Sequence, residues 1–141
     1  MIASLAPTLA VAALLQSAVS VDSVRHRAQL VPVDNGVQLE VLDFGGAGRP
    51  LVLLAGLGNT AHVFDGFAPK LTELGHVYAI TRRGYGGSSR PESGYDASRL
   101  GEDVLSVMDS LRAEKAILIG HSRAGQEMSY LATQHRTGSP G

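Results

Sequence analysis

The stretch AILIGHSRAGQEMSYLA, residues 116–132, carries three patterns in succession. Ala116 to Ile119 is a continuous apolar run, as expected for a strand covered on both faces. From about Arg123 to His135 the spacing predicts a helix. Between them stands Gly120-His121-Ser122-Arg123-Ala124, a G-x-S-x-[GA] turn. Small residues are needed two before and two after the serine, because a tight strand-to-helix turn presses their Cα atoms against neighbouring backbone. The serine then sits in a strained conformation with its Oγ exposed. Ala124 in place of the second glycine adds a single methyl group. The alternative reading is a serine that caps a helix after a strand. Either way, a buried strand runs directly into a helix.

Working outward, Leu51 to Leu54 and Val77 to Ile80 are buried runs of the same kind. Helical segments are expected at about Ala61 to Leu74 and Asp96 to Ala113. In the second, Leu100, Val104, Val107, Met108 and Leu111 fall on one stripe. Upstream, Val37 to Val41 alternates apolar and polar residues, the period of a half-buried strand. Ala28 to Val33 is its expected partner through the Asp34-Asn35-Gly36 turn. The order predicts an α/β fold: a mostly parallel sheet with an N-terminal antiparallel hairpin and helices on both faces. Ligands of such sheets bind outside the carboxyl ends of the strands. The loops expected there all carry glycine: Gly56-Leu57-Gly58, Arg83 to Ser88, and Gly120-His121-Ser122.

The chain has 141 residues, enough for one domain. Its 12 Lys+Arg against 13 Asp+Glu give no electrostatic case for nucleic acid or an acidic membrane surface. The absence of cysteine excludes disulfides, thiolate metal sites and cysteine nucleophiles. No His/Asp/Glu cluster shows ligand spacing in sequence, so neither a metal nor a cofactor is expected. Leu9 to Leu15 is an apolar run followed by the small residues Ala18-Val19-Ser20, so residues 1–20 read as a signal peptide and the protein as exported, periplasmic or secreted. The run is too short for a stable membrane anchor. It lacks a leading Lys or Arg, and the other reading is an N-terminal helix on a cytoplasmic protein. The folded unit is expected over residues 24–136, with 137–141 as an unstructured tail.

Together these segments resemble the α/β-hydrolases, in particular the single-domain esterase-like members. The elbow run is similar to theirs, as is Arg83-Gly84-Tyr85-Gly86-Gly87-Ser88-Ser89-Arg90-Pro91, which matches an R-G-x-G-x-S-x-x-P loop. Ala55-Gly56-Leu57-Gly58 occupies the place of their turn after the third strand, with Ala55 where many relatives have histidine. The resemblance covers about residues 28 to 135. It implies that Ser122 is the nucleophile and that the backbone N–H groups of Leu57 and Arg123 form the oxyanion hole. Main-chain donors at a helix N-terminus suit that task because they aim at the developing charge. A serine at the elbow implies hydrolysis of a small ester, thioester or amide; relatives that open epoxides or remove halides carry an aspartate there. Arg123 departs from the family's usual apolar or amide residue. A cation at a helix N-terminus opposes the macrodipole, so it either greets an anionic substrate or is a solvated first-turn arginine.

The same resemblance implies that the acid and the histidine come from later strands. No residue of this chain corresponds to them, and the sequence matches the N-terminal portion of the fold through the elbow helix. His135 lies on the elbow helix roughly 20 Å from Ser122. His121 is expected to project to the opposite side of the turn, His76 lies at the far end of its strand, and His26 lies in the N-terminal segment. His62 follows the oxyanion loop and is placed to approach the pocket. Activity of this chain is therefore expected to be impaired. Two rival readings stand beside it. One is a Rossmann-type NADP-binding protein using Gly56-Leu57-Gly58-Asn59-Thr60-Ala61, with Arg82-Arg83 for the 2′-phosphate. The other is a non-catalytic hydrolase-fold binding protein.

Overall fold

A computed structural model of the protein describes residues 26–134. The segment read as a signal peptide and the tail lie outside the described residues. Strands β1 (Arg27–Asp34), β2 (Val37–Gly45), β3 (Pro50–Leu54), β4 (His76–Ile80) and β5 (Ile117–Gly120) form one sheet, with helices α1 (Ala97–Ser110) and α2 (Ala124–Gln134). The sheet order is β1-β2-β4-β3-β5. β1, β2 and β4 pair antiparallel, whereas β3 runs parallel to both β4 and β5. The hairpin and the parallel portion are both as the alternation and the buried runs predict. Register then decides where the site lies. Leu54 is level with Ile80 on one side and with Gly120 on the other. The three strands therefore end together, and their following loops share one edge.

The sheet separates two apolar layers. Val52, Leu54 and Ile80 pack with Val104 and Val107 of α1 and with Ala124 and Leu131 of α2. Leu51, Leu53, Val77 and Ala79 face the other way, onto Ala61, Phe64 and Ala68. This alternation is why β3 is buried along nearly its whole length and reads as an unbroken apolar run. Helix α1 begins at Asp96, whose side chain accepts the Arg99 amide at 3.0 Å, satisfying one otherwise unpaired donor. Its inner face also carries Asp103, which accepts Arg83 Nε at 2.6 Å and Nη2 at 2.7 Å with both side chains buried. That fork ties the loop after β4 to the helix, and the carboxylate holds the guanidinium above its ordinary value.

One element departs from the sequence expectation. Residues 61–74 form two short 3-10 turns, Ala61–Phe64 and Ala68–Leu71, in place of one helix. Asp65-Gly66 interrupts the pattern, and Pro69 cannot donate a backbone hydrogen bond, so an α-helix does not propagate through the segment. Packing holds the turns instead: Ala61 and Ala68 are fully buried. At the other side of the sheet β5 is the edge strand among the described residues, with Ile117 40% exposed. Beside it a groove of about 620 Å³ is lined by Leu105, Met108, Leu118, Met128 and Leu131. Among the described residues no helix is long and apolar enough to cross a membrane.

Helix α2 packs against α1 where Gly101 leaves room for a ring. A Cβ at Gly101 would stand 2.5 Å from Tyr130 Cδ1, and the Tyr130 hydroxyl is anchored on Glu102 at 2.7 Å. Gly101→Ala gains about 1 kcal/mol of helix propensity and loses about 1–3 kcal/mol to overpacking. Net destabilisation is expected in urea unfolding, and in a Tyr130→Ala background the same substitution should stabilise.

Candidate active site at the strand ends

The turn between β5 and α2 is strained as the sequence requires. Ser122 has φ 56°, a left-handed conformation that serine seldom adopts. Two glycines make the turn possible through close approach. A Cβ at Gly120 would meet Ala124 Cβ at 2.8 Å and Met128 Sδ at 2.9 Å. A Cβ at Gly56 would meet His121 Cε1 at 2.7 Å and Ser122 Cβ at 3.3 Å. Gly56 thus brings the loop after β3 directly against the serine. Ala124 is fully buried, so its methyl group fits.

The Leu57 and Arg123 amides, on the two sides of this contact, have no protein acceptor among the described residues. His121 lies between the loops. Its Nε2 accepts the Gly56 N–H at 3.2 Å, and its ring meets Phe64 edge-on at 6.3 Å. The imidazole therefore turns away from Ser122 and braces the loop that carries Leu57. Sequence reading placed His121 on the far side of the turn without finding this partner, because Gly56 lies far away in the chain.

Beneath both loops is a buried ion pair that sequence reading also missed. Arg82 Nε and Nη2 lie 2.6 Å and 2.5 Å from Glu127 Oε1, and Arg82 is spent further on main chain. Its Nη2 donates to the Ala55 carbonyl at 3.0 Å and its Nη1 to the Gly56 carbonyl at 3.4 Å. One guanidinium thus fixes the ends of β3, β4 and α2 together. Burial pushes the Glu127 carboxyl above its ordinary value, against the pull of Arg82. The only sequence signal was a glutamate on the inner side of a predicted helix.

A second polar brace holds the loop after β4. Ser88 Oγ donates to the Thr81 carbonyl at 2.6 Å and accepts the Glu40 amide at 2.9 Å. The Thr81 hydroxyl accepts the Ala61 amide at 2.9 Å and donates to Glu40 Oε2 at 2.6 Å. The R-G-x-G-x-S stretch is thereby pinned to β2. Arg123 is partly exposed: its Nη2 donates to the Tyr95 carbonyl at 3.1 Å, while its buried Nε has no partner among the described residues. Leu57, Arg82, Tyr85, Tyr95, Leu100 and Arg123 line a cleft of about 150 Å³ at this edge.

The other described histidines lie elsewhere. His76 is 2.7 Å from Asp43 at the start of β4, the opposite end of the sheet. His62 faces Asp65 at 3.2 Å and Glu40 at 3.6 Å, and His26 packs on Phe44. No imidazole among the described residues hydrogen-bonds Ser122. His26, His62 and Asp65 nonetheless form a group with metal-ligand potential, which sequence spacing did not show because folding brings His26 across to the other two.

The dinucleotide reading fails on the same geometry. Gly56-Leu57-Gly58 leads into a four-residue 3-10 turn, with no helix N-terminus to receive a pyrophosphate. Arg82 and Arg83 are held by Glu127 and Asp103, leaving neither to grip a 2′-phosphate.

A mixed sheet whose parallel strands end in loops that meet at a left-handed serine defines the class of hydrolases built on an α/β core. The family model for the alpha/beta hydrolase fold matches residues 49–140. The chain belongs to the α/β-hydrolase family. It is 44% identical over 91 residues to epoxide hydrolase A of Mycobacterium tuberculosis, covering 62% of this chain and 28% of that protein. It is 31% identical over 117 residues to the soluble epoxide hydrolase of a Corynebacterium species, covering 83% of this chain and 39% of that one. The crystal structure of E-2-(acetamidomethylene)succinate hydrolase superimposes with a TM-score of 0.73 at 25% identity, over 79% of this chain and 41% of the other. The chain thus spans less than half the length of each of these three.

Removing one member of a buried ion pair leaves the other charge uncompensated, at a cost of about 3–5 kcal/mol. Arg82→Met should lose at least that much in chemical denaturation. Adding Glu127→Leu should regain the part due to the uncompensated charge but not the part due to the lost bonds to the Ala55 and Gly56 carbonyls. The pH dependence follows from the direction of the Glu127 shift. A carboxyl raised in the folded state stabilises below its unfolded value and loses that contribution as pH rises through the raised one. Without Arg82 the shift grows, so Arg82→Met should recover stability on acidification from pH 8 to 5.5 more than the wild type does.

Proposed function

We propose that this chain is a serine hydrolase that attacks a small ester, thioester or amide through Ser122, with an acyl-enzyme intermediate. The observation that carries the reading is the left-handed Ser122 at a strand–helix elbow, flanked by two amides without protein acceptors among the described residues. In the proposed first step Ser122 Oγ bonds to the substrate carbonyl carbon and its proton leaves to a base. Negative charge then gathers on the carbonyl oxygen, where the Leu57 and Arg123 N–H groups would hold it. The leaving alcohol departs with a proton, and water cleaves the acyl-serine in the second step. No imidazole among the described residues hydrogen-bonds Ser122, so in the proposed reaction of these residues alone solvent would take the proton. Binding and an oxyanion hole alone give a rate about a thousandfold above water, so turnover should be slow. Export by way of residues 1–20 is part of the same reading.

The relatives named epoxide hydrolases favour a second reading, in which the substrate is an epoxide. The elbow residue argues against it. A carboxylate is ionised at neutral pH and attacks without help, whereas a serine hydroxyl needs a base.

p-Nitrophenyl acetate should acetylate Ser122 slowly, detectable by mass spectrometry, and added imidazole should accelerate the reaction as a substitute base. Neither effect should occur in Ser122→Ala, and styrene oxide should not be opened. Ser122 left unacetylated even with imidazole would sink the catalytic reading in favour of a binding role. Epoxide opening by the wild type would favour the second reading. Because Arg123 is committed to the Tyr95 carbonyl, Arg123→Leu should leave the ratio of acidic to neutral ester rates unchanged. A fall in that ratio would return Arg123 to substrate recognition.

A further inference from the structure

We propose that His26, His62 and Asp65 form a binding site for a divalent transition metal ion, separate from the Ser122 loops. His26 immediately precedes β1, His62 lies in the first 3-10 turn, and Asp65 closes that turn. One potential ligand atom from each falls within 4.8 Å of the others. His26 Nδ1 faces Asp65 Oδ1 at 3.5 Å, and His62 Nδ1 lies 3.2 Å from Asp65 Oδ2. Tetrahedral zinc with bonds near 2.1 Å keeps its ligand atoms about 3.4 Å apart. The two separations, one to each oxygen of Asp65, lie on either side of that value.

The decisive feature is the pair that faces across the gap. Among the described residues His26 Nδ1 and Asp65 Oδ1 are both buried and both without a hydrogen-bond partner. The two atoms lie 3.5 Å apart, an ion pair only if the imidazole is protonated. With a neutral ring whose Nδ1 carries no proton both are left unsatisfied, which is unfavourable. A cation between them satisfies both at once. The outer arrangement is also that of a metal histidine. With Nδ1 on the metal, His62 Nε2 would face Glu40 Oε1, which lies 3.6 Å away, beyond hydrogen-bond length, and Glu40 is itself held by the Thr81 hydroxyl. A small closing movement on metal binding would let that carboxylate orient the ring. Two imidazoles and one carboxylate suit zinc, nickel or cobalt; calcium and magnesium prefer all-oxygen sets. His62 is partly exposed, so a water can complete the coordination. The ion would clamp the start of β1 to the segment that follows the loop of Leu57, a stabilising role rather than a step in ester hydrolysis.

The test is zinc titration of the untagged full chain against a chromophoric chelator. About one equivalent should bind, and zinc should raise the thermal unfolding temperature. His62→Ala and Asp65→Asn should each weaken binding at least tenfold, and His76→Gln, which alters a histidine at the other end of the sheet, should not. Equal zinc affinity in wild type and Asp65→Asn would overturn the site, as would an equal loss in His76→Gln. Because the chain has no cysteine, His62→Cys supplies a positive readout independent of lost folding. Loaded with cobalt, it should gain a thiolate-to-metal charge-transfer band in the near ultraviolet that the wild type lacks. A cobalt-loaded His62→Cys protein without that band would also refute the proposal.

Discussion

The guanidinium of Arg82 is the point on which the strand-end loops depend. It lies at the end of β4, bonds Glu127 from α2, and takes the carbonyls of Ala55 and Gly56 at the end of β3. Three elements that could otherwise shift relative to one another are fixed through one planar group. The arrangement is electrostatically costly to bury and is stable only when complete, because each partner left alone would be an uncompensated charge. Arginine suits the role because its fork offers several donors in fixed directions, which lysine cannot do. The carbonyls of the loop are held from below and the Gly56 amide by His121, so that of this loop's amides Leu57's has no protein acceptor among the described residues.

His121 completes the brace from above. The residue beside the serine uses its ring to hold Gly56, so the elbow and the loop after β3 form one rigid unit. Gly56 has no side chain because His121 and Ser122 occupy that space. The amides of Leu57 and Arg123, without protein acceptors among the described residues, therefore come from a structure in which neighbouring carbonyls and amides are already committed. Pre-fixed donors of this kind need no reorganisation when charge develops nearby. Arg83 with Asp103, and Ser88 with Thr81 and Glu40, do the same for the loop after β4.

Much of this was legible in the sequence because it is local. Apolar runs at 51–54, 77–80 and 116–119 mark strands, and the structure places strands at all three. Only the first two are largely buried; β5, expected to be covered on both faces, is partly exposed at the edge of the described sheet. The stripe through Leu100, Val104 and Val107 marks the inner face of α1, and those residues are buried. The helix expected over 61–74 shows the weakness of the same method. Its apolar spacing was real, since Ala61, Phe64 and Ala68 do pack, but spacing alone does not reveal that Gly66 and Pro69 stop propagation.

What the sequence by itself determined is the order of elements and the turn at Gly120-His121-Ser122, since strand period, helix period and turn chemistry act over a few neighbouring residues. Only the tertiary structure decided which charges meet. Arg82 finds Glu127, Arg83 finds Asp103, and His26 comes to lie beside His62 and Asp65 through contacts between residues far apart in the chain. No periodicity encodes those pairings. They depend on strand order and on register, which set Leu54 level with both Ile80 and Gly120 and so bring the three loop starts to one edge.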